Sequence, residues 1–144
     1  YFMVVTKEVV RRFEEGKTPE EVCRELSGVG MKISPKRIKE HYAIWRMGFK
    51  NYSEYKRFLN DDYFREIYEQ REISGDNPYI LLLKIIEIKK RCPPEAVEEV
   101  LARTPEYRML ERKTAGMTNK QKIKYFGRLA RGLNILKEQG KIKF

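Results

Sequence analysis

One hundred and forty-four residues, 41% of them hydrophobic, suffice for one ordinary domain or two small ones, each with a packed core. No apolar run approaches the roughly 20 residues of a membrane span, and no signal-peptide pattern opens the chain, so a soluble, intracellular (cytoplasmic) protein with no membrane partner is expected. The net charge of +10 is segregated: residues 1–50 carry 11 Lys+Arg and 7 Asp+Glu, residues 51–104 carry 9 and 11, and residues 105–144 carry 11 and 3, a pattern that suits a polyanionic partner better than solubility alone.

Tyr1 rather than Met opens the sequence, which suits a fragment or a tag scar with Met3 as a candidate native start. Tyr1–Val5 is expected to be disordered or a short edge strand, its partner being Lys141–Phe144. Thr6–Glu15 predicts a helix with Val9, Val10 and Phe13 inward, stopped by Gly16. Thr18 is then placed to cap a second helix, with Pro19 at the first helical position, Glu21 closing a capping box, and Val22, Cys23 and Leu26 on one face. Beyond the turn Ser27–Ile33, Ser34 and Pro35 repeat the device. Ile38, Tyr42, Trp45 and Phe49 recur at helical spacing and predict a buried face. Opposite stand Lys36, Arg37, Lys39, Glu40, Met47 and Lys50, with Arg46 at the edge.

Two capped helices around a glycine-bearing turn, the second packed on one side and basic on the other, resemble the helix-turn-helix family of DNA-binding domains over Thr6–Phe49. Ser27–Ile33 is longer than the three or four residues usual for that turn. The resemblance implies a module over residues 1–50 whose helix 34–49 enters the major groove of double-stranded DNA. Lys36, Arg37 and Lys39 would touch bases and phosphates, Arg46 and Lys50 would hold the backbone, and Lys32, Ser34 and Glu40 complete the DNA-facing set. A capped hairpin with a merely solvated basic face is the alternative.

Residues 51–76 read as connecting helices. Gly48-Phe49-Lys50-x-Tyr52-Ser53-Glu54-Tyr55 is similar to a Gly-Phe-Lys-Ser-x-x-Glu-Tyr unit of some archaeal DNA-binding and endonuclease proteins, although packing of Phe49, Tyr52 and Tyr55 under the preceding helix explains it better. Ser53 predicts one helix start, and Asn60 or Asp61 the next, whose Tyr63, Phe64, Ile67 and Tyr68 form an aromatic face. Residues 74–77, SGDN, mark a turn and a subdomain boundary.

Residues 77–144 form the second, basic helical module. Pro78–Arg91 is the most apolar stretch, expected as a central helix or a dimer seam. Short helices over Pro94–Ala102 and Pro105–Arg112 precede a long one that Thr118 and Gln121 open with a capping box. Ile123, Phe126, Leu129, Ala130, Leu133 and Leu136 line its inner face, Lys120, Lys122, Lys124, Arg128, Arg131 and Lys137 its outer face, and Gly127 and Gly132 predict a kink or a division into two helices. With Lys141–Phe144 read as a strand, Tyr79–Phe144 resembles the core of a winged-helix domain lacking its second wing strand, the alternative being a helical bundle with a basic solvated face. The basic face of the long helix is expected to add a second phosphate-binding surface through Lys120, Lys122, Lys124, Arg128 and Arg131.

The expected fold is all-α or nearly so. His41 is the only histidine, Cys23 and Cys92 have no metal-ligand spacing and read as buried free thiols, and no Gly-rich phosphate loop appears, so neither enzyme activity, a cofactor nor a small-molecule substrate is evident. Asp61, Asp62, Glu66 and Glu69 are candidate divalent-ion ligands that solvation explains better. A balance rich in Lys, Arg, Glu and Ile and poor in Gln suits a thermophilic source. The reading is a double-stranded DNA-binding regulator or accessory factor, with a homodimer expected on general grounds. Its rivals are an RNA-binding module, an assembly factor using Ile80–Ile88, and a fragment of a larger nucleic-acid enzyme.

Overall fold

The computed structural model describes the backbone of residues 2–144 and the side chains of residues 7–144. Among the described residues the chain is all α: α1 (Phe2–Glu14), α2 (Pro19–Gly28), α3 (Pro35–Met47), α4 (Tyr52–Leu59), α5 (Asp62–Tyr68), α6 (Pro78–Arg91), α7 (Val97–Ala102) after a 3-10 turn at Pro94–Ala96, α8 (Pro105–Thr114) and α9 (Asn119–Glu138). Two compact units divide inside α4, the first ending at Arg57 and the second beginning at Phe58, so the SGDN turn lies within the second.

Prolines preceded by capping residues open α2, α3 and α6. Ser34 Oγ accepts from Arg37 N at 3.2 Å, Thr18 Oγ1 from Glu21 N at 3.2 Å, and Thr118 and Gln121 form the reciprocal box. One cap differs from expectation. Asn51, not Ser53, opens α4 by accepting from Glu54 N at 2.9 Å; at α8, Thr104 donates back to the Val100 carbonyl at 2.7 Å and makes no side-chain cap. The expected edge strand is also corrected: Phe2–Val5 belongs to α1, whose helix absorbs those backbone groups, while Tyr1 lies outside the described residues.

In the first unit α1, α2 and α3 pack pairwise around Val9, Phe13, Val22, Leu26 and Ile38. Tyr42 and Trp45 complete that core, their ring centroids 5.1 and 5.6 Å from Phe13. Met47 and Phe49 depart from the simple helical face. Gly48 ends α3 in the left-handed region at φ +76°, which only glycine adopts without strain, and the reversal leaves Met47 buried and Phe49 beyond the helix against Tyr55, at 5.5 Å.

In the second unit α6 is the hub, packing against α5, α7, α8 and α9. Its Tyr79 is fully buried and lies on Gly132 of α9, where an added Cβ would sit 2.5 Å from Tyr79 Cε1 and 3.0 Å from Phe58 Cε1. Gly132 therefore seats an aromatic ring, and α9 runs as one helix instead of dividing in two. Ile123, expected inward, is 74% exposed. Lys141–Phe144 forms no strand, and none is found among the described residues; Phe144 instead offers its ring to Lys137 at 4.5 Å and Lys90 at 5.5 Å.

Candidate nucleic-acid interface

Charge in the first unit is sorted by element. Residues 1–31 carry five Lys+Arg and six Asp+Glu, whereas residues 32–57 carry eight Lys+Arg against only Glu40 and Glu54. On α1 and α2 the opposite charges meet: Glu8 takes Arg11 at 3.0 Å and Arg12 at 2.6 Å, and Glu25 takes Lys17 with Arg12 at 3.7 Å. Hydrogen bonds from Arg12 and Arg11 hold the Glu8 carboxyl below its usual pKa, and the bond from Lys17 does the same for Glu25.

The lysines on and beside α3 make no such pairs. Lys32, Lys36, Lys39 and Lys50 are exposed and enter no ion pair among the described residues. The sparse side chains between Lys36, Lys39, Glu40, Tyr55 and Lys56 leave a groove of about 460 Å³. On the far side of Glu40 a smaller hollow, about 210 Å³, is bounded by Arg37, His41, Lys50, Asn51 and Tyr52. Tyr52, expected in the core, is 38% exposed and carries a cation near its ring on each count: Arg37 and Lys56, both 5.4 Å from the centroid. His41 is half-buried, and its pKa is pushed down by burial and by the Arg37 charge, with Glu40 opposing.

Of the expected contacts on this helix, Lys32, Lys36, Lys39, Arg46 and Lys50 are exposed, while Arg37 and Glu40 are half-buried. Ser34 is exposed but its Oγ is engaged as the cap. Lys56 and Tyr52 join the site without having been anticipated. They sit four residues apart on α4, so the only sequence signal was that spacing on one helical face.

The basic face of α9 is less uniform. Lys120, Lys124, Arg131 and Lys137 are exposed, but Lys122 is half-buried along a cleft shared with α6 and α8. Arg128 is drawn inward, its guanidinium 3.4 Å from Asp61 Oδ2 and 5.7 Å from the Phe58 ring centroid. Asp61 is a junction: Oδ1 caps α5 through Tyr63 N and Phe64 N at 3.0 and 3.3 Å, and Oδ2 accepts the Tyr79 hydroxyl at 2.8 Å. Burial, then the Asp61 charge, raise the Tyr79 pKa far beyond its usual range.

Glu66 is also occupied, accepting from Ser74 N, from Ser74 Oγ at 3.1 Å and from Asn77 Nδ2 at 2.9 Å. Asp61 and Glu66 thus serve the α5–α6 turn, and among the described residues no group of three His, Cys, Asp or Glu side chains is placed to hold a metal ion. Cys23 and Cys92 are free and half-buried, and no described helix is long and apolar enough to cross a membrane.

No protein-family model matches the chain, and no curated protein or solved structure is significantly similar to it.

Proposed function

We propose that this chain binds double-stranded DNA through α3 and the start of α4, acting as a regulator of transcription or an accessory factor in replication or recombination. The observation that carries the reading is the contrast in charge within the first unit: lysines of α3 stand without carboxylate partners beside helices whose ion pairs are made. Unpaired lysines on a rigid helix gain most from phosphates, because binding releases condensed counterions without first breaking a protein ion pair. The apolar side of α3, anchored by Ile38, Tyr42 and Trp45 in the three-helix core, would hold the pose.

In this mechanism Lys32, Lys36 and Lys39 face the groove and its phosphates, Arg37 stays near Tyr52, and Lys50 and Lys56 grip the flanking backbone. Lys120, Lys124, Arg131 and Lys137 would supply a separate phosphate-binding surface. Fluorescence anisotropy on a random duplex across a salt series tests the reading. A steep inverse salt dependence, lost on joint replacement of Lys36, Lys39 and Lys56 by Ala, is expected; unchanged affinity in that variant removes it. The exposed Tyr52 favours one second reading, single-stranded RNA held by stacking, and preferential competition by single-stranded RNA would select it.

A further inference from the structure

The second unit contains a cleft that DNA binding does not use. Side chains of α6, α8 and α9 line a half-open cleft of about 600 Å³, within the range of small-molecule sites. Ile85 and Leu110, both nearly fully buried, form part of the lining. Leu82, Ile86, Tyr107 and Phe126 supply half-buried apolar wall, and Ala130 is an exposed wall position small enough to leave the space open. Polar groups are few. The Thr114 hydroxyl is already committed to the carbonyls of Leu110 and Glu111, at 3.1 and 3.2 Å. The charged lining comprises Lys89, Lys122 and Glu111, none of them in an ion pair among the described residues.

An apolar chamber with two lysines against one carboxylate favours an occupant with a greasy body and a negative head. We propose that this cleft binds an amphipathic carboxylate, a medium-length aliphatic or aryl-alkyl acid, whose chain lies among Leu82, Ile86 and Phe126 and whose carboxylate is held by Lys122 or Lys89. The lysine ammonium groups and the carboxylate form charge-assisted hydrogen bonds, and the chain exchanges water for apolar contact. A neutral alcohol of equal length keeps the second contribution and loses the first. A cationic amphiphile also meets the lysine charges unfavourably.

Isothermal titration of the full chain with octanoate, nonanoate and decanoate, each below its micelle concentration, tests the proposal against decanol and decyltrimethylammonium. Saturable one-site binding is expected, tightening roughly threefold to fourfold per added methylene, the fold-change corresponding to burial of one CH₂. Lys89→Gln with Lys122→Gln should weaken decanoate at least tenfold and leave decanol nearly unchanged. Ala130→Trp, at an exposed position, should fill the cleft and abolish binding without lowering the melting temperature of the free protein. Absence of saturable carboxylate binding overturns the proposal, as does equal binding of decyltrimethylammonium or undiminished binding by Ala130→Trp. A concentration-dependent dimer that Ala130→Trp dissolves and decanoate does not displace would assign the cleft to a second copy of the chain and also overturn it.

Discussion

The basic sides of α3 and α9 look alike as strings of lysine and arginine, yet their chemistry diverges once neighbours are in place. On α3 the lysines enter no ion pair among the described residues, while Glu8 and Glu25 of α1 and α2 are taken by Arg11, Arg12 and Lys17. On α9 the acidic Asp61 claims Arg128, and the cleft with α6 takes part of Lys122. Charge density along a helix therefore measures potential for binding a polyanion, whereas the carboxylates supplied by other elements decide how much is available.

The contrast breaks most directly at the α3 groove. Replacing Lys36, Lys39 and Lys56 together by Ala should reduce duplex affinity roughly tenfold to a hundredfold and flatten the log–log salt slope by about three, measured by anisotropy between low and physiological salt. The corresponding replacement of Lys120, Lys124 and Lys137 should do less, because a smaller share of that surface is concentrated around one groove.

Asp61→Asn attacks the difference from the other side. It removes the charge that holds Arg128 and the acceptor for the Tyr79 hydroxyl, so a stability loss of about 1.5–3 kcal/mol is expected in denaturant unfolding. Released from that carboxylate, Arg128 should raise the duplex affinity of the folded protein; a stability loss with no gain in affinity would show that Asp61 does not restrain the α9 surface.

The two glycines of α9 separate its packed side from its solvent side. Gly132→Ala drives a methyl into the Tyr79 ring, and overpacking of about 1–3 kcal/mol outweighs the roughly 1 kcal/mol gained in helix propensity. Gly127→Ala meets nothing within 4 Å and should stabilise by up to about 1 kcal/mol. Thermal melts of the two variants should shift in opposite directions.

The smallest expected effect belongs to His41. Because its folded pKa lies below the ordinary value of 6.5, the unfolded chain takes up the proton first as pH falls. Its contribution to stability is present above pH 6.5 and is lost as pH drops through the folded pKa, a window above that of Glu8 and Glu25, whose carboxyls titrate below 4.5. His41→Gln should remove the decline in the upper window and leave the acid limb intact in pH-dependent unfolding.

Much of the architecture was legible because its signals are local. Thr18-Pro19, Ser34-Pro35, Asn77-Pro78 and Thr118 mark starts that involve only the next turn of backbone, and Val9, Phe13, Val22, Leu26 and Ile38 declare their burial by period alone. The errors arose where long-range packing overruled period or propensity. Ile123 fits the apolar stripe of α9 yet lies in solvent, and Gly132 reads as a helix weakness while serving as the seat of a ring from α6. Lys141–Phe144 alternates like a strand but has no described strand to pair with.

By itself the sequence determined an all-helical chain, the caps of most helices, the core of the first unit and the concentration of cations on α3 and α9. Tertiary structure alone decided that Lys56 joins the α3 groove and Tyr52 the smaller hollow, that Asp61 restrains Arg128, and that three helices leave a cleft beside Lys122. Capping and amphipathicity act within a few residues, so they can be read in order along the chain. Long-range ion pairs such as Asp61–Arg128, and cavities, depend on side chains that only folding brings together, and no local pattern encodes their distance.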